Sequence, residues 1–242
     1  MTYTPLTATN RVILISGANR GIGFAIAERL YQEGYQLSLG ARRPESLAPL
    51  LSKMAKGRVS AHKYDATEVD TAKSWVESAA ERFGRIDGLV NNAGIYLNFT
   101  VENEDETALD EMWLTNTKGP LRLIRAAFPH LKASGAGRVI NIVSLSGKRV
   151  YAPRATGYAM SKFATLALTH AVRYSGWEHG IRSTAICPGF VATDMTAEVT
   201  AVTQEQMISP GAIATLVATV LSLPNTASVV EIPVNCQLED SF

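Results

Sequence analysis

Tyr158 and Lys162 stand four residues apart in the stretch Tyr158-Ala159-Met160-Ser161-Lys162. In a helix that spacing puts both side chains on one face, with Cβ atoms roughly 6 Å apart. An ammonium beside a phenol favours the phenolate, so it lowers a pKa that otherwise lies at about 10 and prepares the hydroxyl for proton transfer. The same five residues also describe an ordinary helix with an aromatic and a lysine on one side, so the pattern needs support from the rest of the chain. A second feature supplies it: Ser16-Gly17-Ala18-Asn19-Arg20-Gly21-Ile22-Gly23 follows a short apolar run. Glycines at a strand-to-helix junction let the backbone turn sharply and approach a pyrophosphate, while the helix N-terminus offers free N–H groups and a positive dipole. The spacing departs from G-x-G-x-x-G, but the strand before it and the helix after it point to dinucleotide binding.

The elements that must position these residues alternate along the chain. Residues 12–15 form a continuous apolar run of the kind expected for a strand covered on both faces. A helical pattern through Ala25, Ile26, Leu30 and Tyr31 stops at Gly34. Further strands are expected at 36–41, 59–64, 86–90, 138–143, 182–187 and 229–234. Helices are expected after Pro44, over 69–83, over 107–131 with a bend at Gly119-Pro120, around Tyr158, and over 212–223. This rhythm predicts an α/β fold: a doubly wound, mostly parallel sheet of about seven strands with helices on both faces. No repeat or linker interrupts it, so residues 1–242 read as one dinucleotide-binding and catalytic domain, preceded by a polar tail over 1–10.

Composition excludes several classes. The chain has 242 residues, 46% hydrophobic and 19% charged, which is the composition of a soluble globular protein. A formal net charge of +1 gives no long-range pull toward nucleic acid or an anionic membrane. Cys187 and Cys236 lie far apart with no metal-ligand cluster, so neither a metal site nor a disulfide framework is expected, and the natural setting is reducing and cytoplasmic. The apolar run at 12–15 is too short for a signal sequence, and no segment is long and apolar enough to span a bilayer.

Gly17-xxx-Gly21-x-Gly23, Asn91-Asn92-Ala93-Gly94, Asn116, Ser144, Tyr158-xxx-Lys162 and Pro188-Gly189 occur together and in order over about residues 11–234. In this combination the chain resembles the short-chain dehydrogenase/reductase family, whose members adopt the Rossmann fold. The resemblance implies that Tyr158 exchanges a proton with the substrate oxygen while a hydride moves at the nicotinamide. It implies that Lys162 lowers the tyrosine pKa and binds the nicotinamide ribose, that Ser144 stabilises the substrate oxygen, and that Asn116 holds a water in a proton relay. For the cofactor it implies Gly17, Asn19, Arg20, Gly21, Ile22 and Gly23 at the phosphates, and Asp65 with Ala66 at the adenine. Asn92 and Gly94 would line the adenosine ribose, and Pro188, Gly189, Val191 and Thr193 would hold the carboxamide. NAD enzymes of this architecture place an acid at the end of the second strand. Leu39-Gly40-Ala41-Arg42-Arg43 has none, and Arg42, with Arg20 opposite, suits a 2′-phosphate, so NADP(H) is expected over NAD(H).

The expected activity is hydride transfer between NADP(H) and a small carbonyl or secondary alcohol substrate, by a homo-oligomer, dimer or tetramer. The pocket would come from residues 95–106, 145–156 and 190–209, the last acting as a lid. Tyr96, Leu97, Tyr151, Phe190, Met195 and Met207 would give it an apolar mouth, and Lys148, Arg149 and Arg154 could meet an anionic group. Two alternatives share the fold. One is a 3-oxoacyl-thioester reductase using Arg122 and Arg125 to greet an acidic carrier; the other is a dinucleotide sensor without turnover, against which the retained Asn116, Ser144, Tyr158 and Lys162 weigh. The family's usual Asp-Gly-Gly ending is replaced here by Val234-Asn235-Cys236-Gln237.

Overall fold

The computed structural model describes residues 4–239; the first part of the expected N-terminal tail (1–3) and the last three residues lie outside it. β1 (Val12–Ser16) is buried on both faces. Ile13 and Ile15 enter one hydrophobic cluster and Val12 and Leu14 the other, which is why its sequence shows no polar alternation. It leads into α1 (Gly21–Gln32). β2 (Gln36–Ala41) and β3 (Val59–Lys63) extend the sheet on one side. β4 (Gly88–Asn91), β5 (Arg138–Ile142), β6 (Arg182–Pro188) and β7 (Glu231–Val234) extend it on the other. The order is β3-β2-β1-β4-β5-β6-β7, and every strand pairing is parallel. The chain reverses direction of growth between β1 and β4, so a crevice opens beyond the carboxyl ends of these two strands.

Between β2 and β3 the expected helix shrinks to a 3₁₀ turn (Pro44–Leu47) and one turn of α2 (Ala48–Leu51), because Pro44 and Pro49 remove two N–H donors in close succession. α3 (Val69–Phe83) forms as expected and ends at Gly84, whose φ of 74° is left-handed. The expected helix over 107–131 is three segments: α4 (Thr107–Trp113), a π-helical turn (Leu114–Lys118) and α5 (Gly119–Ala133). α6 (Thr156–Gly176) carries the Tyr158 stretch, and α7 (Pro210–Ser222) starts on a Ser209 cap whose hydroxyl accepts the Ala212 N–H. Ile26 and Leu30 of α1 pack with Ile213 and Val217 of α7 on one face of the sheet, whereas Trp75 of α3, Leu123 of α5 and Val172 of α6 cover the other. The described part of the N-terminal tail is tied down: the Leu6 N–H donates to the Ser222 carbonyl at 2.7 Å.

Candidate active site

A cavity of about 920 Å³ fills the crevice, running from Arg42 and Arg43 past the glycine loop and Asp65 to Ser144, Tyr158 and Lys162. Every residue expected at the cofactor or in catalysis lines it, save Gly23 and Asn116. Those two act from behind the wall.

The glycine loop is shaped by close approach. Gly17 and Gly21 have φ of 65° and 54°, a region where L side chains are strained. A Cβ on Gly23 would sit 2.2 Å from the Gly17 carbonyl oxygen, and one on Gly17 would meet the Ala93 backbone at 3.0 Å. Asn92 locks this arrangement by donating from Nδ2 to the carbonyls of Ser16 and Gly17, both at 3.0 Å. The first turn of α1 carries no acidic residue, so its N–H groups and dipole face the cavity without an internal counter-charge. Backbone that close and N–H groups that free make a concave, anion-accepting surface. Gly94 serves the other end, where a Cβ would lie 3.2 Å from Asn116 Oδ1 and 3.6 Å from Lys162 Nζ. Asp65 is also a turn former: its Oδ1 accepts from the Thr67 N–H and hydroxyl at 2.9 and 2.8 Å.

The two arginines expected at a 2′-phosphate are placed differently. Arg42 is exposed at the rim of the cavity. Arg20 instead reaches across the cleft to Asp194 at 2.9 Å, with 65% and 75% of the two side chains exposed. An ion pair that open to solvent contributes little and exchanges readily.

At the far end, helical spacing does bring Tyr158 and Lys162 together, with Nζ 5.6 Å from the phenol ring centroid. Lys162 is buried and donates to the Ile142 carbonyl at 2.9 Å. Burial pushes its pKa down to about 8, and the neighbouring Cys187 works weakly the other way. Tyr158 keeps part of its ring open to the cleft, yet burial still pushes its phenol up to about 12; the Ser144 hydroxyl, hydrogen bonding to it, works the other way, and Tyr96 adds to the rise. The lowering of the tyrosine by its lysine, expected from spacing, is therefore corrected for the protein by itself. Burial dominates, and the ammonium is directed at a backbone carbonyl. What the site presents is a protonated phenol with a second hydroxyl beside it. Ser144 is held by the Ser146 N–H, which donates to its Oγ at 3.0 Å.

Asn116 sits in the π-helical turn, which has a readable cause. Its carbonyl would accept the N–H of residue 120 in an α-helix, but Pro120 has none. The Thr165 hydroxyl takes that acceptor at 2.7 Å, and the Gly119 N–H bonds back five residues to Leu114. The Asn116 amide clamps Ile95 in both directions at 2.9 Å and donates to Ser161 Oγ at 3.0 Å. Deeper still, Asn91 donates to Asn141 and Asn141 to Thr169, both at 2.8 Å. Ser161, Thr165, Thr169 and Asn141 were missed in the sequence. For the first three the signal was present as hydroxyls at i, i+4 and i+8 on the inner face of α6; Asn141, on β5, gave none.

The expected substrate loops are partly reassigned. Tyr96 packs edge-on against Tyr158 with centroids 5.3 Å apart, and Met195 lines the cavity. Met207 is buried and leaves the mouth, because residues 190–209 fold back on themselves through a Val191–Ile208 bridge. Lys148 and Arg149 pair with Glu231 and Glu239.

Residues 11–204 match the family model described as short chain dehydrogenase. An agropine synthesis reductase of Rhizobium rhizogenes is 44% identical over 229 residues, covering 94% of this chain and 53% of that protein. The chain thus spans about half the length of the agropine synthesis reductases it matches. Among solved structures, an alcohol dehydrogenase from Thermococcus sibiricus complexed with 5-hydroxy-NADP superposes with a TM-score of 0.84 at 30% identity, covering 93% of this chain and 95% of that one. A metagenomic short-chain oxidoreductase in complex with NADP gives 0.81 at 28% identity, covering 96% and 99%. With a family model matched over most of its length and a relative 44% identical over 94% of it, the chain belongs to the short-chain dehydrogenase family of oxidoreductases.

Proposed function

We propose that this protein is an NADPH-dependent reductase of a small carbonyl compound. The observation that carries this reading is the pair of hydroxyls, Ser144 and Tyr158, at the end of a cleft whose opposite rim has Arg42, and no carboxylate within residues 39–43, where β2 ends. The glycine loop would hold the pyrophosphate of a nicotinamide cofactor, whose chemistry would be to supply hydride. Ser144 and Tyr158 hold the carbonyl oxygen by hydrogen bonds that strengthen as negative charge develops there. Tyr158 then gives its proton to that oxygen. A phenol pushed up to about 12 is fully protonated near neutrality and still more acidic than the alcohol it creates, so the transfer runs downhill. The reverse direction would need the phenolate, which burial disfavours. Lys162, whose ammonium donates to the Ile142 carbonyl, would hold the nicotinamide ribose of a bound cofactor. Two liganded neighbours with NADP or a derivative of it support the cofactor choice, and the name of the agropine synthesis reductases supports the reductive direction.

The thioester-reductase alternative loses one of its arginines, since Arg122 donates to the Ala66 and Thr67 carbonyls at 3.1 and 3.3 Å. The test is a panel of ketones and aldehydes with NADPH and NADH, followed by absorbance of the reduced nicotinamide. NADPH-dependent turnover is expected, and Tyr158→Phe should lose about 10²–10⁴-fold of it. Undiminished turnover by that variant would refute the assignment.

A further inference from the structure

The C-terminal segment that departs from the family's usual ending runs beside the loops that follow β5 and β6. After β7, the Gly189 N–H donates to the Val234 carbonyl at 2.8 Å. Asn235 Oδ1 lies where a Cβ on Gly189 would come within 2.9 Å, and the Cys236 thiol faces the Phe190 carbonyl at 3.8 Å. The segment then crosses to the loop after β5. There Glu239 accepts from Arg149 through both carboxylate oxygens, and from Asn235 Nδ2 at 3.0 Å. Arg149 and Glu239 are each only 19% exposed, the setting in which a two-pronged pair holds geometry. The Arg149 guanidinium lies 5.1 Å from the centre of the Tyr151 ring, and Tyr151 meets Phe190 edge-on at 5.7 Å. A continuous set of contacts therefore runs from Glu239 through Arg149 and Tyr151 to Phe190. It links the C-terminal segment, through the loop that leaves the cleft at Ser144, to the loop that leaves it at Gly189.

We propose that Glu239 is a positioning residue: by fixing Arg149 it sets Tyr151 against Phe190, and so sets how the loop after β5 stands beside the loop after β6, just outside the end of the cavity lined by Ser144, Gly189 and Val191. The two adjacent cations of this loop are then not receptors for an anionic substrate. Arg149 is occupied by Glu239, and Lys148 is bonded to Glu231 of β7. The substrate class that fits is a carbonyl compound whose apolar part extends out of the cavity toward the Tyr151–Phe190 pair. For its activity readout this inference rests on the reductase reading above.

The experiment compares Glu239→Gln, Arg149→Met and the double variant with the unaltered protein. The substrate is the ketone or aldehyde turned over best in the panel, and NADPH affinity is measured separately by fluorescence. Each single change should raise the carbonyl KM about fivefold, the worth of roughly 1 kcal/mol, and leave kcat and NADPH affinity within about twofold. The double variant should be no worse than either single one, as expected of residues acting through one contact. An unchanged carbonyl KM, or equal losses in NADPH affinity and kcat, overturns the proposal. Should no carbonyl be turned over, the reductase reading falls by itself. The tether is then read by amide hydrogen exchange: Glu239→Gln should speed exchange over residues 145–156 and leave β3 unchanged, and unaltered exchange in that loop overturns the proposal.

Discussion

Lys162 carries a cost that its motif does not reveal. Its pKa of about 8 in the folded protein lies below the value of about 10.4 expected in the unfolded chain. Below about pH 8 both states hold the proton, and the folded state bears the full penalty of a buried ammonium. Between about 8 and 10.4 the unfolded chain holds more protons, so stability rises with pH across that window. The penalty at pH 7 is on the order of 3 kcal/mol, of which the bond to Ile142 returns about 1 kcal/mol when present. Lys162→Met should therefore abolish turnover yet melt higher at pH 7, by about 4–8 °C for a chain this size, with the gain vanishing toward pH 10. A melting curve at each pH checks this, and a variant that melts lower at pH 7 contradicts it. The residue-level reading of the sequence was right about which two side chains meet and wrong about the outcome for the phenol. Spacing encodes proximity along a helix, whereas burial depends on β5, β6 and the loop after β4, which are remote in sequence.

At the scale of elements, the π-helical turn shows how much a single proline can arrange. Gly119-Pro120 was readable as a bend in a long helix. That the bend would be a π turn was not, because its stability comes from Thr165, 45 residues further on, whose hydroxyl meets the freed Asn116 carbonyl. Thr165→Val removes that donor while keeping shape, and leaves a buried acceptor unpaired at a cost of about 1–3 kcal/mol. The expected result is a melting temperature lower by about 2–12 °C, together with reduced turnover, since the turn also aims the Asn116 clamp on Ile95. Thr165→Ser should restore both. Loss of stability with turnover intact would separate the turn from catalysis. The glycine loop is the contrasting case, legible almost entirely from sequence, because its reasons are local. The 2.2 Å approach between Gly17 and the space at Gly23 lies within seven residues of chain.

For the molecule as a whole, strand-and-helix alternation announced a parallel sheet but not where the ligand must lie. The cleft's position follows from the strand order, with β1 and β4 side by side and the chain wound outward from both. The contacts of Glu239 with Arg149, 90 residues away, follow from that winding too, because β7 ends beside β6. A dinucleotide in the cleft would touch both halves of the sheet, from Arg42 after β2 to Pro188 at the end of β6, so its binding should stabilise the whole domain in one transition. At about 100 times its dissociation constant, NADPH should add about 2.7 kcal/mol, or about 5–11 °C in melting temperature. If Arg42 grips the 2′-phosphate with the strength of a charged hydrogen bond, about 1.5–3 kcal/mol, NADH binds about 10–100-fold more weakly. The same concentration of NADH should then give about half the shift or less, and Arg42→Ala should bring the NADPH shift down to the NADH value without altering the latter. Equal shifts from the two dinucleotides in the unaltered protein would mean that the missing carboxylate after β2 has no bearing on cofactor choice.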